Sequence, residues 1–302
     1  MAARRSQGMD TLTQSRDPTM KPRPPNSEVT EKVELDPKKT DYLPSEFFPA
    51  LDLLPKEGDA VICGGQAVNL LAAVFLSPEE LEEITGEKGD AMSGDMDIII
   101  TKELQSRLEK TQTDKSKGFK IKRFADARQP IQFVILPDSM PDTRIDVLRT
   151  IKGIHTEKDR VFEDAIEIDA PFKVMNPITL MIAKAENCAT LEQNLPSNIR
   201  NDIKHLKMMV PIVKNFLTEL VTHCDPESKQ DQREIISQLK KLLQAAPGIG
   251  FKKGFASAGM PLHDAVPIHE IKDSSLETLK KFFENTFLPQ METKGKQPPG
   301  NK

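Results

Sequence analysis

Two aspartates, Asp95 and Asp97, stand one residue apart at the head of an isoleucine run in "SGDMDIIIT". Consecutive isoleucines read as a buried strand. On a strand, a spacing of two puts both carboxylates on one face. Two like charges at the end of a buried element repel each other unless a proton or a cation intervenes. The chain must therefore bury this strand while giving its acidic end a partner. Hard oxygen ligands on a rigid element suit Mg²⁺ or Mn²⁺. The plainer alternative makes Asp95 a turn residue and Asp97 a solvated strand-end residue.

Asp146 is a lone acid in the β-like run "TRIDVLR". Were that strand to lie beside the Asp95/Asp97 strand, three carboxylates would converge. Three acids around divalent ions are equipment for in-line phosphoryl or nucleotidyl transfer, and the third can take a proton from an attacking hydroxyl. Asp146 can equally be an edge-strand acid paired with Arg144 or Arg149. Upstream, "VICGGQAVNLLAAVFLS" runs from a short apolar strand through Gly64-Gly65 into an amphipathic helix. Glycines there allow a tight turn and close backbone approach. The helix directs free N–H groups and its positive dipole end at that turn, which suits a phosphate.

The periodicity organises the rest. Residues 1–40 carry almost no large apolar side chain and are expected to be disordered, as are residues 289–302. Residues 41–176 read as an α/β domain. It comprises strands at "DAVIC", "MDIIIT", "FKIKRF", "IQFVIL" and "RIDVLR", and a last short pair at "AIEIDA" and "FKVM". Helices are expected over "QAVNLLAAVFL", "KELQSRLEKTQ" and "SPEELEEITG", the last with Ser77 as N-cap, Pro at N1 and Gly86 as stop. After Asn176-Pro177, residues 177–288 read as long amphipathic helices, with Pro211 expected to kink or split the second. His263 and His269 fall in a Pro/Gly-rich stretch read as loop. The fold class is thus α+β, with an all-helical C-terminal half.

With the pattern on the page, "ICGGQAVNLL", "SGDMDIII" and "RIDVL" together resemble the nucleotidyltransferase fold of the DNA polymerase β superfamily, and most closely its AbiEii-type, toxin-like branch. The resemblance covers roughly residues 58–210 and implies a mixed sheet with flanking helices. It implies that Ser93, two residues before the first acid, helps hold phosphates. In "NPITLMIAKAE" it assigns Lys184 to the triphosphate. In "IRNDIKHL" it singles out Arg200 and Asp202, the latter orienting Lys184 or the acceptor. The chain departs from the pattern in an added acidic helix between Gly65 and Asp95, and in Ala91-Met92 where an arginine commonly stands. Lys184 also borders an apolar face, where a snorkelling lysine is common, and Asp202 suits a helix-surface acid.

The expected function is a metal-dependent nucleotidyltransferase, moving a nucleoside monophosphate from an NTP to an RNA 3′ end, a protein hydroxyl or a small molecule. Asp95, Asp97 and Asp146 bind metal, and Gly64, Gly65, Ser93 and Lys184 bind the nucleotide. Asp95, Asp97, Asp146, Lys184 and Asp202 serve catalysis. The alternative is a weakly active or inactive nucleotide-binding and interaction module, toxin–antitoxin-like, with a protein partner. A formal net charge of −4 offers no global basic field for nucleic acid. One tyrosine and no tryptophan leave little for base stacking, and "KSKGFKIKR" is most simply a solvated strand face. Three widely spaced cysteines fit reduced thiols, and the five histidines form no zinc pattern with them. No apolar run is long enough to span a membrane and the first residues lack a secretory core, so a cytoplasmic location is expected.

Overall fold

The structure, a computed structural model, describes residues 47–52, 60–86, 95–111, 118–124, 129–138, 143–156, 158–168, 172–190 and 202–295. The segment 1–40, Ser93 and Arg200 lie outside these residues. After the short helix α1 (Phe48–Leu51), strand β1 (Ala60–Cys63) is buried at every position. It passes without a linker into α2 (Gly64–Phe75). Helix α3 (Pro78–Thr85) forms as expected. Ser77 and Glu80 make a reciprocal capping box, and Gly86 closes the helix at φ 75°.

Strand β2 (Asp95–Ile100) leads to α4 (Lys102–Thr111) and then to β3 (Phe119–Arg123), β4 (Ile131–Pro137) and β5 (Arg144–Leu148). With β6 (Lys173–Val174) they form a six-stranded mixed sheet in the order β3-β4-β5-β2-β1-β6. β2 is central: it runs antiparallel to β1 and parallel to β5. Met96 and Ile98 on one face of β2, and Ile145 and Val147 on the same face of β5, are buried in the core. The opposite face of these strand ends carries Asp95, Asp97, Arg144 and Asp146. The expected strand pair near residue 170 reduces to one bridge, Ile166 to Val174, because Lys173–Val174 adds in parallel to β1 instead.

The helical half begins where the sequence places it. The Asn176 side chain accepts from the Ile178 and Thr179 N–H groups at 3.0 and 3.4 Å, capping α5 (Pro177–Thr190). Helix α6 (Asp202–Thr222) runs unbroken through Pro211 rather than splitting there. Buried residues flank the proline on both sides, among them Met208, Met209, Ile212 and Val213, so packing compensates the lost backbone bond. Helices α7 (Lys229–Ala245) and α8 (Ile249–Ala258) complete the layer around α5. The stretch read as loop is helical: His263 lies in a 3₁₀ turn over Leu262–Ala265, and His269 in α9 (Ile268–Asp273). Ala265, Val266 and Ile271 are buried there, an apolar spacing hidden among prolines and glycines.

The last helices also extend further than composition suggests. α10 (Glu277–Phe282) passes through a π-helical turn, Phe283–Phe287, into α11 (Leu288–Gly295). Residues 289–295, expected in the disordered tail, are thus helical. Phe283 and Phe287 anchor the turn, fully buried with stacked rings 5.2 Å apart, and Met291 packs on the same core. A single apolar cluster runs from the sheet through α2, α5 and α6 to these rings. Among the described residues no helix is long and apolar enough to cross a membrane.

Helices α5 and α8 approach backbone to backbone at Gly254. A Cβ at Gly254 would land on the Ala185 carbonyl oxygen, which is backbone and cannot turn aside. Gly254→Ala is therefore expected to lower unfolding free energy by about 2 kcal/mol. The overpacking penalty of up to about 3 kcal/mol outweighs the roughly 1 kcal/mol that alanine gains in helix propensity. Urea denaturation of the two proteins side by side checks this.

Candidate metal centre

The parallel register of β2 on β5 sets Asp97 opposite Asp146 and Asp95 opposite Arg144. Pleating alternates side chains, so all four point to one face. Carboxylate oxygens of Asp95, Asp97 and Asp146 lie within 4.8 Å of one another. Asp146 is only 2% exposed. Its Oδ2 accepts the Arg144 Nη2 at 3.1 Å, and the same nitrogen reaches Asp95 Oδ2 at 3.1 Å. Its Oδ1 is buried with no hydrogen-bond partner. The expected pairing with Arg144 is therefore present, but β5 is an inner strand between β4 and β2, not an edge. Nor is Asp146 content with that pair alone, since a buried carboxylate oxygen without a donor is costly.

The electrostatics follow from this crowding. Asp97 is pushed up to about 7, first by removal from water and then by the Asp95 carboxylate, with Asp146 adding and Lys184 and Arg144 opposing. Asp146 is pushed up to about 6, again mainly by burial; Arg144 opposes the shift and Asp95 adds to it. Carboxylates that raise one another's values in a buried place carry negative charge that a cation relieves. That is what a site for a divalent cation requires. The orphaned Asp146 oxygen and the all-oxygen donor set fit such an ion.

The glycine turn lies against this cluster. Gly64 sits at φ +71°, and a Cβ there would fall on the Asp97 carboxylate, so both conformation and space demand glycine. Gly64 and Gly65 are the first residues of α2. The preceding Cys63 makes no side-chain cap, so the first turn presents its N–H groups without one. Cys63 is the register partner of Asp97. Burial and the Asp97 charge push its thiol well above the ordinary range, which keeps it protonated and inert.

Lys184 enters from α5. It does not snorkel: it is 6% exposed, and its Nζ donates to Asp202 Oδ1 at 3.2 Å. Its charge opposes the upward shifts of Asp97 and Cys63. Asp202, at the first position of α6, is its ion-pair partner rather than a free surface acid. Sequence reading missed His205, one turn further along α6. Its Nδ1 lies 3.3 Å from the Lys184 Nζ. Burial first, then Lys184 and Lys204, hold His205 well below its usual range, so it is neutral. Its Nδ1 then accepts from the ammonium and its proton resides on Nε2, which is buried without a partner. The spacing Asp202 to His205, i to i+3 on one helix face, was the available signal.

Comparison with protein-family models, with curated proteins and with solved structures finds no match.

The raised carboxylates make stability fall as pH rises. From about pH 4 to about 7, the unfolded chain releases protons near the ordinary aspartate value of 3.8 while folded Asp97 keeps its own until about 7. The unfolded state therefore binds fewer protons across that window, and unfolding becomes easier with rising pH. Without divalent ions, the melting temperature is expected to drop between about pH 4 and 7 more in the wild type than in Asp97→Asn. Calorimetric scans of both proteins across that range check the difference, and equal pH dependence would contradict the assignment.

Proposed function

We propose that the protein is a metal-dependent nucleotidyltransferase that moves a nucleoside monophosphate from an NTP to an acceptor hydroxyl. The observation that carries this reading is the orphaned, buried Oδ1 of Asp146 within a three-carboxylate cluster at the N-terminus of a glycine-started helix. A carboxylate cluster alone is common. One with an unpaired buried oxygen, and with a phosphate-compatible helix end at its wall, is suited to a metal–triphosphate complex. The resemblance in "ICGGQAVNLL", "SGDMDIII" and "RIDVL" supports the same chemistry. On this reading the mixed sheet is of the nucleotidyltransferase kind.

Asp95, Asp97 and Asp146 would hold the divalent ions, Mg²⁺ or Mn²⁺. A bound ion supplies neutralisation of phosphate charge. The chain's own groups do the rest. The N–H groups that open α2 at Gly64 and Gly65 receive phosphate oxygens. Lys184, locked by Asp202 and His205, brings a fixed positive charge to the same cleft, where a preoriented charge costs no reorganisation during reaction. The acceptor hydroxyl oxygen attacks the α-phosphorus while the bond from that phosphorus to the α,β-bridging oxygen breaks, and pyrophosphate leaves. The hydroxyl proton passes to the Asp146 carboxylate as general base. The acceptor class is an RNA 3′ end, a protein hydroxyl or a small molecule.

Incubation with each α-labelled NTP, Mg²⁺ and either cellular RNA or cellular protein is expected to label one fraction, and Asp97→Asn to abolish the signal. Lys184→Ala is expected to reduce labelling by on the order of 10²–10³-fold, with the wild-type circular-dichroism spectrum retained. Labelling by the wild type that Asp97→Asn leaves undiminished would refute the site. Full labelling by a folded Lys184→Ala would make the lysine structural only.

A further inference from the structure

Arg144 contacts two members of the acidic cluster, and its placement is unlike that of Lys184. Arg144 stands two residues before Asp146 on β5 and opposite Asp95 on β2, so register alone aims it at both carboxylates. A single nitrogen, Nη2, is shared between Asp95 Oδ2 and Asp146 Oδ2. The guanidinium side chain is 51% exposed while Asp146 is 2% exposed. It therefore reaches down onto a buried acid from the rim, with one side open to solvent. Lys184, by contrast, is 7% exposed and held by its own acid and histidine.

We infer that Arg144 is a built-in competing cation, which occupies the carboxylate cluster in the metal-free protein and which a divalent ion must displace to load the site. The inference rests on the metal-binding reading proposed above. The competition follows from geometry and charge. A metal held by Asp146 Oδ1 and Asp95 sits on the same two carboxylates that Nη2 now contacts, at the short distances hard cations require. Two cationic centres cannot crowd onto those carboxylates without strong repulsion. A guanidinium brings one positive charge to the cluster; a divalent ion brings two. A monovalent ion brings no more charge than the arginine and gains nothing by replacing it. Arg144 thus keeps the empty cluster from repelling itself apart, and sets a threshold that divalent ions cross and monovalent ions do not. Because the arginine is half in water, its hold is modest and its exit disturbs no packed core.

The test uses Mn²⁺ alone, with the full chain and no nucleotide, counting free Mn²⁺ by its paramagnetic resonance signal. Arg144→Gln removes the competitor and is expected to bind Mn²⁺ about tenfold more tightly than the wild type, the order expected for removing part-exposed ion pairs. Arg144→Lys keeps a cation and is expected to stay near the wild-type affinity. Unchanged or weaker Mn²⁺ binding by folded Arg144→Gln, with wild-type binding that Asp97→Asn abolishes, would overturn the competition and leave the metal site standing. No Mn²⁺ binding by wild type or Arg144→Gln would overturn both. Should Arg144→Gln fail to fold, the wild type decides by nuclear magnetic resonance. The Arg144 side-chain N–H signal, assigned with Arg144→Lys, is expected to shift and lose exchange protection as Mg²⁺ is added. A signal that stays put while the aspartate resonances titrate would overturn the inference.

Discussion

The pairing of β2 with β5 is the constraint on which the rest of the site depends. Both strands are buried on one face by Met96, Ile98, Ile145 and Val147. Sliding β5 by one residue would turn those side chains outward and drive Asp146 into the core. The hydrophobic pattern therefore locks the register, and the register in turn forces Asp97 against Asp146 and Asp95 against Arg144. The electrostatic tension of the cluster is a by-product of apolar packing on the other side of the sheet. The core holds together three carboxylates that would otherwise move apart.

The helical half completes the arrangement instead of forming a separate body. Its core is continuous with that of the sheet. The Asn215 side chain donates to the Phe75 carbonyl at 2.7 Å, tying α6 to the end of α2. Asn176 caps α5 at the point where the chain leaves the sheet, which fixes the direction in which Lys184 points. Asp202 and His205 then hold the ammonium from α6. A buried lysine is expensive unless paired; here the pairing partners sit on a helix that the common core positions. An ion pair between the halves, Lys241 with Asp164, joins α7 to the segment before β6.

Much of this is written in local pattern. The Ser77 and Gly86 boundaries of α3, the glycine start of α2 and the change to helices at Asn176 are all consequences of short-range capping and propensity. So is the acidic end of β2. What misleads is equally local. Pro211 looks like a break, yet tertiary burial on both sides carries α6 across it. The segment around His263 and His269 looks like loop, yet three buried apolar residues fold it into short helices. The final helix persists to Gly295 because Phe283 and Phe287 are gripped by the core, which composition of the tail does not register.

The sequence by itself determined that two carboxylates share a face at the end of a buried strand, and that a helix starts at a glycine pair nearby. Alternation and capping act over a few residues and need no partner to be read. Only the tertiary structure decided that Asp146 joins them, that Arg144 bridges Asp95 to Asp146, and that His205 meets Lys184. Arg144 and Asp95 are 49 residues apart, with a helix and two strands between them. Strand order and register between such distant segments come from which faces bury together. That is a property of the whole core, and no local stretch of the chain encodes it.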